Sequence, residues 1–200
     1  MKAVAFFDKR INNDIEGVIH FQQMSLQSPL FMDIQLSGFK PNSVHAIHVH
    51  EFGNLTEGCK TLGPHFNPTK RKHGHSEQGH AGDLFNNFMT DKSGKINLQF
   101  STKKLSIFPH SKVSIIGRSV VIHQFPDDYG LKGRKISEEF VLYKNMNFQQ
   151  LLGICNQLGY TNQLPKPISM KECIDKLEKE SEETGNASTR IACSIVGINS

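Results

Sequence analysis

The sequence predicts an antiparallel all-β fold, a sandwich or flattened barrel, and three observations carry that reading. Met32, Ile34 and Leu36 alternate with Asp33, Gln35 and Ser37, and Ile96, Leu98 and Phe100 alternate with Asn97 and Gln99. That is the period of a strand with one face in a core and the other in water. Turn chemistry separates the strands, as in Lys40-Pro41-Asn42 and Asp91-Lys92-Ser93-Gly94, where proline presets φ and the small polar residues favour tight turns. The pattern of short strands and turns persists from residue 1 to about residue 123, as it does in antiparallel sandwiches.

Taken in order, Met1-Lys2-Ala3-Val4-Ala5-Phe6-Phe7 reads as a first strand. Residues 51–82, rich in Gly, Pro, His and Asn, form a loop too long to be a mere connection, and such loops are usually functional. After His123 a second irregular stretch acquires helical spacing. Phe148, Leu151, Leu152, Cys155 and Leu158 share one face; Met170, Cys173, Ile174 and Leu177 share another, behind a Ser169…Glu172 capping box. The spacing predicts two short helices within 145–182, joined through Gly159 to Pro167, and a final strand from Arg190 to Ile198. A chain of 200 residues buries one sizeable core, so residues 1–200 are expected to form a single domain.

Composition excludes several classes of function. No apolar run approaches the ~20 residues that a spanning helix needs, and the amino terminus lacks the charged-then-apolar design of a signal peptide. No membrane association is expected, and a cytoplasmic location is. The formal charge of +4 is mild and evenly spread, without the clustered basic stripe of a nucleic-acid groove.

Histidine stands out: seven of the ten, His45, His48, His50, His65, His73, His75 and His80, fall in one short stretch. Alternation along the β-branched segment Val44–His50 puts the His48 and His50 rings on one face. A lone His-x-His pair is weak evidence, but His65, His73, His80 and Asp83 follow, and imidazole with carboxylate suits zinc or copper. A solvated histidine-rich loop is the plain alternative.

Several blocks then carry a family resemblance: His45-Ala46-Ile47-His48-Val49-His50-Glu51-Phe52-Gly53, Gly63-Pro64-His65-Phe66-Asn67-Pro68, Arg71-Lys72-His73-Gly74, Gly82-Asp83-Leu84, Ile115-Ile116-Gly117-Arg118 and Gly185-Asn186-Ala187…Arg190-Ile191-Ala192-Cys193. In this order they resemble the Cu,Zn superoxide dismutase family. The resemblance implies an eight-stranded antiparallel Greek-key β-barrel or sandwich of immunoglobulin-like type, with long loops and, in this chain, a short helical insertion at about 134–183 in the electrostatic loop. It implies His48, His50, His65 and His123 as copper ligands and His65, His73, His80 and Asp83 as zinc ligands, with His65 bridging. It further implies Asp127 as a carboxylate behind one histidine of each metal, and a Cys59–Cys193 disulfide.

The implied activity is disproportionation of superoxide to dioxygen and hydrogen peroxide by Cu(II)/Cu(I) cycling. The catalytic roles fall to His65, which takes up a proton when copper is reduced, and to Arg190, which docks the anion. A non-catalytic dismutase-like metal-binding or copper-delivery protein is the alternative, weakened because such domains tend to lack a copper ligand or the arginine. A homodimer is implied by Phe52, Gly53, Ile116, Gly117 and Ile198, and a copper-loading partner is a further expectation.

The chain also departs from the family pattern. His73 and His80 are unusually close in sequence, with His75 between them expected as a solvated bystander. Phe125 and Glu183 stand where many members carry lysines. Residues 135–183 hold six Lys against eight Asp or Glu, a net of −2, leaving +6 elsewhere, so weaker electrostatic steering is expected. Asp128 reads as a solvated neighbour of Asp127. Cys155 and Cys173, on apolar helix faces, read as buried free thiols in preference to a second disulfide. The insertion reads as a helical hairpin packed on the barrel, ahead of a partner-binding element or a lid.

Overall fold

The computed structural model describes all of the chain except residues 76, 137, 138, 162–166 and 200. Two antiparallel sheets face each other. One has the order β12-β1-β2-β3-β7, from Gly197–Ile198, Lys2–Phe7, Glu16–Gln22, Leu30–Ser37 and Ile96–Thr102. The other has the order β11-β8-β4-β6, from Arg190–Ile195, Ser119–His123, Val44–His50 and Asn87–Met89. Because β11 and β12 are one chain segment that changes sheets, eight strand segments make up the barrel, as the family resemblance implies. The Greek-key order follows from β7 lying beside β3 and β8 beside β4.

The predicted alternation is seen directly in β3, where Leu30, Met32, Ile34 and Leu36 are buried while Phe31, Asp33 and Gln35 face outward. Ile34 pairs with Ile19 on one side and Leu98 on the other, so one apolar layer runs across three strands. Strand β4 is buried on both faces after Val44. Ile47 and Val49 enter the barrel core with Val120 and Ile122 of β8. Alternation therefore sends His48, His50 and His123 to the opposite face of that sheet, where the long loops cover them.

The insertion is more than a helical pair. It opens with a hairpin, β9 (Gly133–Ile136) and β10 (Glu139–Leu142), followed by α1 (Phe148–Gln157) and α2 (Met170–Thr184). The Ser169–Glu172 capping box forms, and Asn147 with Gln150 makes a second one on α1. Part of the expected Gly159–Pro167 joint, residues 162–166, lies outside the described residues. The helices cover each other's apolar faces: Tyr143, Met146, Leu151, Cys155, Ile168, Cys173 and Leu177 form a small core of their own. Phe148 and Met170, placed on those faces by spacing alone, are instead exposed at the first turn of each helix.

Cys155 and Cys173 correct the free-thiol expectation, because they form a disulfide, with Cα atoms 6.5 Å apart. Periodicity places each cysteine on an inward face but says nothing of the register between two helices. That register sets the two sulfurs against each other. Cys59 and Cys193 form the other disulfide, tying the short strand β5 (Thr56–Cys59) in the long loop to β11.

Candidate metal centre

Four histidines, His48, His50, His65 and His123, present one ligand atom each within 4.8 Å of one another, all buried. His65, His73, His80 and Asp83 form a second such group, also buried, and His65 belongs to both. Strands β4 and β8 supply three of the first set, His48, His50 and His123, from adjacent strands of one sheet. The loop delivers His65 by pairing back onto β4, with a bridge between His50 and His65 and the Phe66 N–H donating to the Val49 carbonyl at 2.8 Å. Asp83 ends a short 3₁₀ turn, Ala81–Asp83, so that it faces the His80 just ahead of it; the close spacing of His73 and His80 still brings both rings to the group.

The hydrogen bonds decide which nitrogens are free. His50 Nδ1 is 2.8 Å from the Gly63 carbonyl and His123 Nδ1 is 3.1 Å from the Ser188 carbonyl. A carbonyl only accepts, so each Nδ1 carries the proton and each Nε2 presents a lone pair. Those two Nε2 atoms lie 3.3 Å apart. Burial, followed by crowding against the other site histidines and Arg190, pushes both rings well below the ordinary histidine value, so both are neutral. Two facing lone pairs of this kind call for a cation.

Asp127 binds one histidine of each group, with Oδ2 2.8 Å from His48 Nε2 and Oδ1 2.9 Å from His73 Nε2. This leaves Nδ1 of both rings facing inward. His48 Nδ1, His65 Nε2, His73 Nδ1 and His80 Nδ1 are buried without a hydrogen-bond partner among the described residues. His73 Nδ1 is 3.1 Å from Asp83 Oδ2 but lacks hydrogen-bond geometry. An unsatisfied buried polar atom costs about 1–3 kcal/mol, so four around one centre would be a heavy burden unless metal ions take them up. The donor set fits copper and zinc: nitrogens alone in one group, three nitrogens and a carboxylate in the other.

The electrostatics agree. Burial favours neutral His65, and together with His48 lowers it to about 3. Against burial, Asp127 and Asp83 raise His73 to about 10. Both carboxylates are themselves held ionised: burial opposes this, and the hydrogen-bonded histidines overcome it. Around Asp127 stand residues that the motif reading missed. Asn86 Nδ2 donates to Oδ2 at 2.8 Å, and Asn87 exchanges two bonds with the Asp127 backbone at 2.7 and 2.8 Å. Gly185, at φ +68°, packs so closely that a Cβ there would collide with Asp127 Oδ1 and His73 Nε2. The sequence signal for Asn86 and Asn87 is their turn chemistry, whereas Gly185 stands in one of the blocks that carry the family resemblance.

Asp128 corrects another expectation. It is buried, and its carboxylate accepts bonds from Tyr143 Oη at 2.8 Å, Ser181 Oγ at 2.8 Å and Asn186 Nδ2 at 3.1 Å. His75 is exposed against the Tyr129 ring and stands outside both ligand groups. His45, also outside them, sets Nδ1 3.0 Å from the carbonyl of His123 and packs between Phe39 and Phe88. Arg190 pairs with His123 across β11 and β8, beside a register shift, and its guanidinium donates to the carbonyls of Cys59 and Gly63 at 2.9 and 2.5 Å. Bulges of this kind re-aim side chains. Here the arginine shares a cavity with His50, His65 and His123.

A Greek-key barrel with a histidine-shared, two-metal centre on the outer face of one sheet defines a class of metalloprotein. Residues 15–141 match the sequence profile of copper/zinc superoxide dismutase, and the chain belongs to that family. It is 40% identical to the Cu-Zn superoxide dismutase of Candida albicans over 136 residues, 66% of this chain and 84% of that one. It is 39% identical to that of Saccharomyces cerevisiae over 150 residues, 74% and 92% of the two chains. Similarity to superoxide dismutase 1 of Debaryomyces hansenii, at 32% identity, spans 99% of this chain and 98% of that one. Among solved structures, that of the clock protein EA4 superposes with a TM-score of 0.68 at 26% identity, covering 99% of this chain and 94% of the other.

Proposed function

We infer that this chain disproportionates superoxide, with copper held by His48, His50, His65 and His123 and zinc by His65, His73, His80 and Asp83. The observation that carries the reading is the set of four buried imidazole nitrogens without a hydrogen bond among the described residues, arranged around a histidine common to both groups. Bound by those residues, copper would supply one-electron chemistry, taking an electron from one superoxide to give dioxygen and returning it, with two protons, to another to give hydrogen peroxide, and zinc would supply a fixed positive charge.

The chain's own groups do the rest. Arg190, held in place by the carbonyls of Cys59 and Gly63, offers a fixed positive charge to an anion beside His50 and His123. His65 Nε2, which has no hydrogen bond among the described residues, is the atom placed to take and return a proton. Asp127 fixes the tautomers of His48 and His73 together, so the two metal sites share one support. Metal analysis with a superoxide-consumption assay on His48→Ala and Arg190→Ala tests this. Loss of copper in the first and loss of turnover with copper retained in the second are expected; unaltered turnover in the first would sink the copper mechanism.

The whole chain, 1–200, is read as one dismutase domain whose segment 134–183 is inserted into the electrostatic loop; the Asp128 bonds to Tyr143 and Ser181 support this by joining the insertion to the loop beside the metal ligands. A homodimer is supported by Phe52 and Ile198, apolar side chains 50% and 57% exposed at positions that resemble the family's subunit contact. Phe52→Glu is expected to yield monomers in sedimentation velocity. No helix among the described residues is long and apolar enough to cross a membrane. Cytoplasmic action and copper delivery by a loading partner complete the reading; cell fractionation and copper content in cells lacking copper-loading proteins test them.

A further inference from the structure

A cavity of about 290 Å³ leads to the copper side of the centre. His50, His65 and His123, each nearly fully buried, line it with Arg190, and the half-buried Leu158 and Tyr160 line its outer part. Both outer side chains come from the insertion, just beyond the end of α1. The insertion thus builds a wall of the approach to the metals as well as covering its own apolar faces.

That wall is tied down at several points. The Tyr160 N–H donates to the Cys155 carbonyl at 2.9 Å, and its phenol donates to Asn186 Oδ1 at 3.1 Å. Lys176 Nζ donates to the Tyr160 carbonyl at 3.3 Å and lies 5.6 Å from the ring centroid. Asn186 is itself held by Asp128, Tyr143 and the Leu177 carbonyl, and Cys155 is bonded to Cys173 on α2. A ring fixed in this way acts by its bulk.

We propose that Leu158 and Tyr160 form a size filter over this cavity, admitting diatomic and other slender anions to the metal and turning away bulky complex or organic anions. The filter rests on the reading that the four histidines hold copper. Its chemical consequence is selectivity for the electron donor. A large one-electron reductant that reached the site would convert Cu(II) to Cu(I) while being oxidised by one electron itself, without any superoxide being consumed. With the mouth narrowed, reducing equivalents enter from superoxide.

The test uses the full chain loaded with copper and zinc and two anionic probes, azide and ferrocyanide, followed by Cu(II) electron paramagnetic resonance. In the unaltered protein azide should perturb the Cu(II) spectrum, while ferrocyanide, giving up one electron to become ferricyanide, should bleach it slowly. Tyr160→Ala and Leu158→Ala should each speed the bleaching roughly tenfold and change azide affinity less than about twofold, the range expected for opening an apolar pocket. Tyr160→Phe keeps the ring and should track the unaltered protein. Leu158→Ala leaves the bonds of Tyr160 intact and reads the filter independently should Tyr160→Ala fail to fold. Unchanged bleaching in Leu158→Ala and any folded Tyr160→Ala, with azide binding normal, would overturn the filter. An unaltered protein whose Cu(II) spectrum ignores azide would overturn the copper assignment, and the filter with it.

Discussion

Asp127 and Asp128, consecutive in the chain and both buried, turn their carboxylates to different tasks. Asp127 binds His48 and His73 of the two ligand groups, and Asp128 binds Tyr143, Ser181 and Asn186 at the base of the insertion. The insertion and the metal ligands are therefore supported from adjoining residues of one loop.

Asp128→Ala would strand the Tyr143 hydroxyl, which is fully buried, and weaken the hold on Ser181 in the last turns of α2. Removing the acceptor for a buried donor costs about 1–3 kcal/mol. The expected outcome is a loss of about that size in chemical denaturation, with protease cleavage appearing first within the insertion. A variant as stable and as resistant as the parent would show that the insertion docks by other means.

Gly185 ends α2 in the left-handed region and lies against Asp127 and His73. A methyl group there must displace the carboxylate that fixes one ligand of each metal, and the left-handed backbone adds strain of about 1–3 kcal/mol. Gly185→Ala should therefore release zinc to a chelator faster than the parent, measured by a colorimetric zinc dye, while the barrel keeps its far-ultraviolet spectrum. Equal release rates would place Asp127 outside the support of the zinc ligands.

The strands of the barrel were legible in the sequence because alternation is a local property, whereas the two ligand groups, His123 above all, rested on the family resemblance. His48 and His50 on one face of β4 follow from a period of two. What sequence left open depends on contact between distant segments. Pairing of Cys155 with Cys173 needs the register of α1 against α2, and burial of Asp128 needs Tyr143 and Ser181 to arrive from either end of the insertion. The hairpin of β9 and β10 leaves no sequence signal because its strands are four residues each, too short for alternation to register. Spacing alone puts Leu158 on an apolar helix face, and only the fold brings it to the copper-side cavity.

Glu183, exposed on the surface with Lys179 as an ion-pair neighbour, stands where the family resemblance would place a lysine, and Phe125 replaces a second. With the segment 135–183 at a net of −2, attraction of an anion toward Arg190 is reduced. Salt screens long-range attraction within about 10 Å at 0.1 M, so a weaker field has less to lose. The expected result is a shallower fall of kcat/KM with ionic strength than in a lysine-rich relative measured alongside, and Glu183→Lys should steepen it. Equal slopes for all three would mean that steering does not depend on these positions.

The metal-free chain should show a stability maximum near pH 6.5, the ordinary histidine value, because its site histidines are shifted in opposite directions. Burial lowers His65 to about 3 and pushes His50 and His123 well down, so below 6.5 the unfolded chain binds protons that the folded chain refuses, and stability falls as pH falls. His73, raised to about 10 by Asp127 and Asp83 against its burial, keeps a proton that the unfolded chain gives up above 6.5, and its contribution is lost as pH rises toward 10. Urea midpoints of the chelator-treated chain across this range should therefore describe a peak. Loading with zinc and copper should remove the alkaline limb, because a metal at His73 replaces the proton there and binding releases protons as a consequence. An alkaline limb that survives full metal loading would mean that His73 keeps its proton, and so that it does not hold the metal.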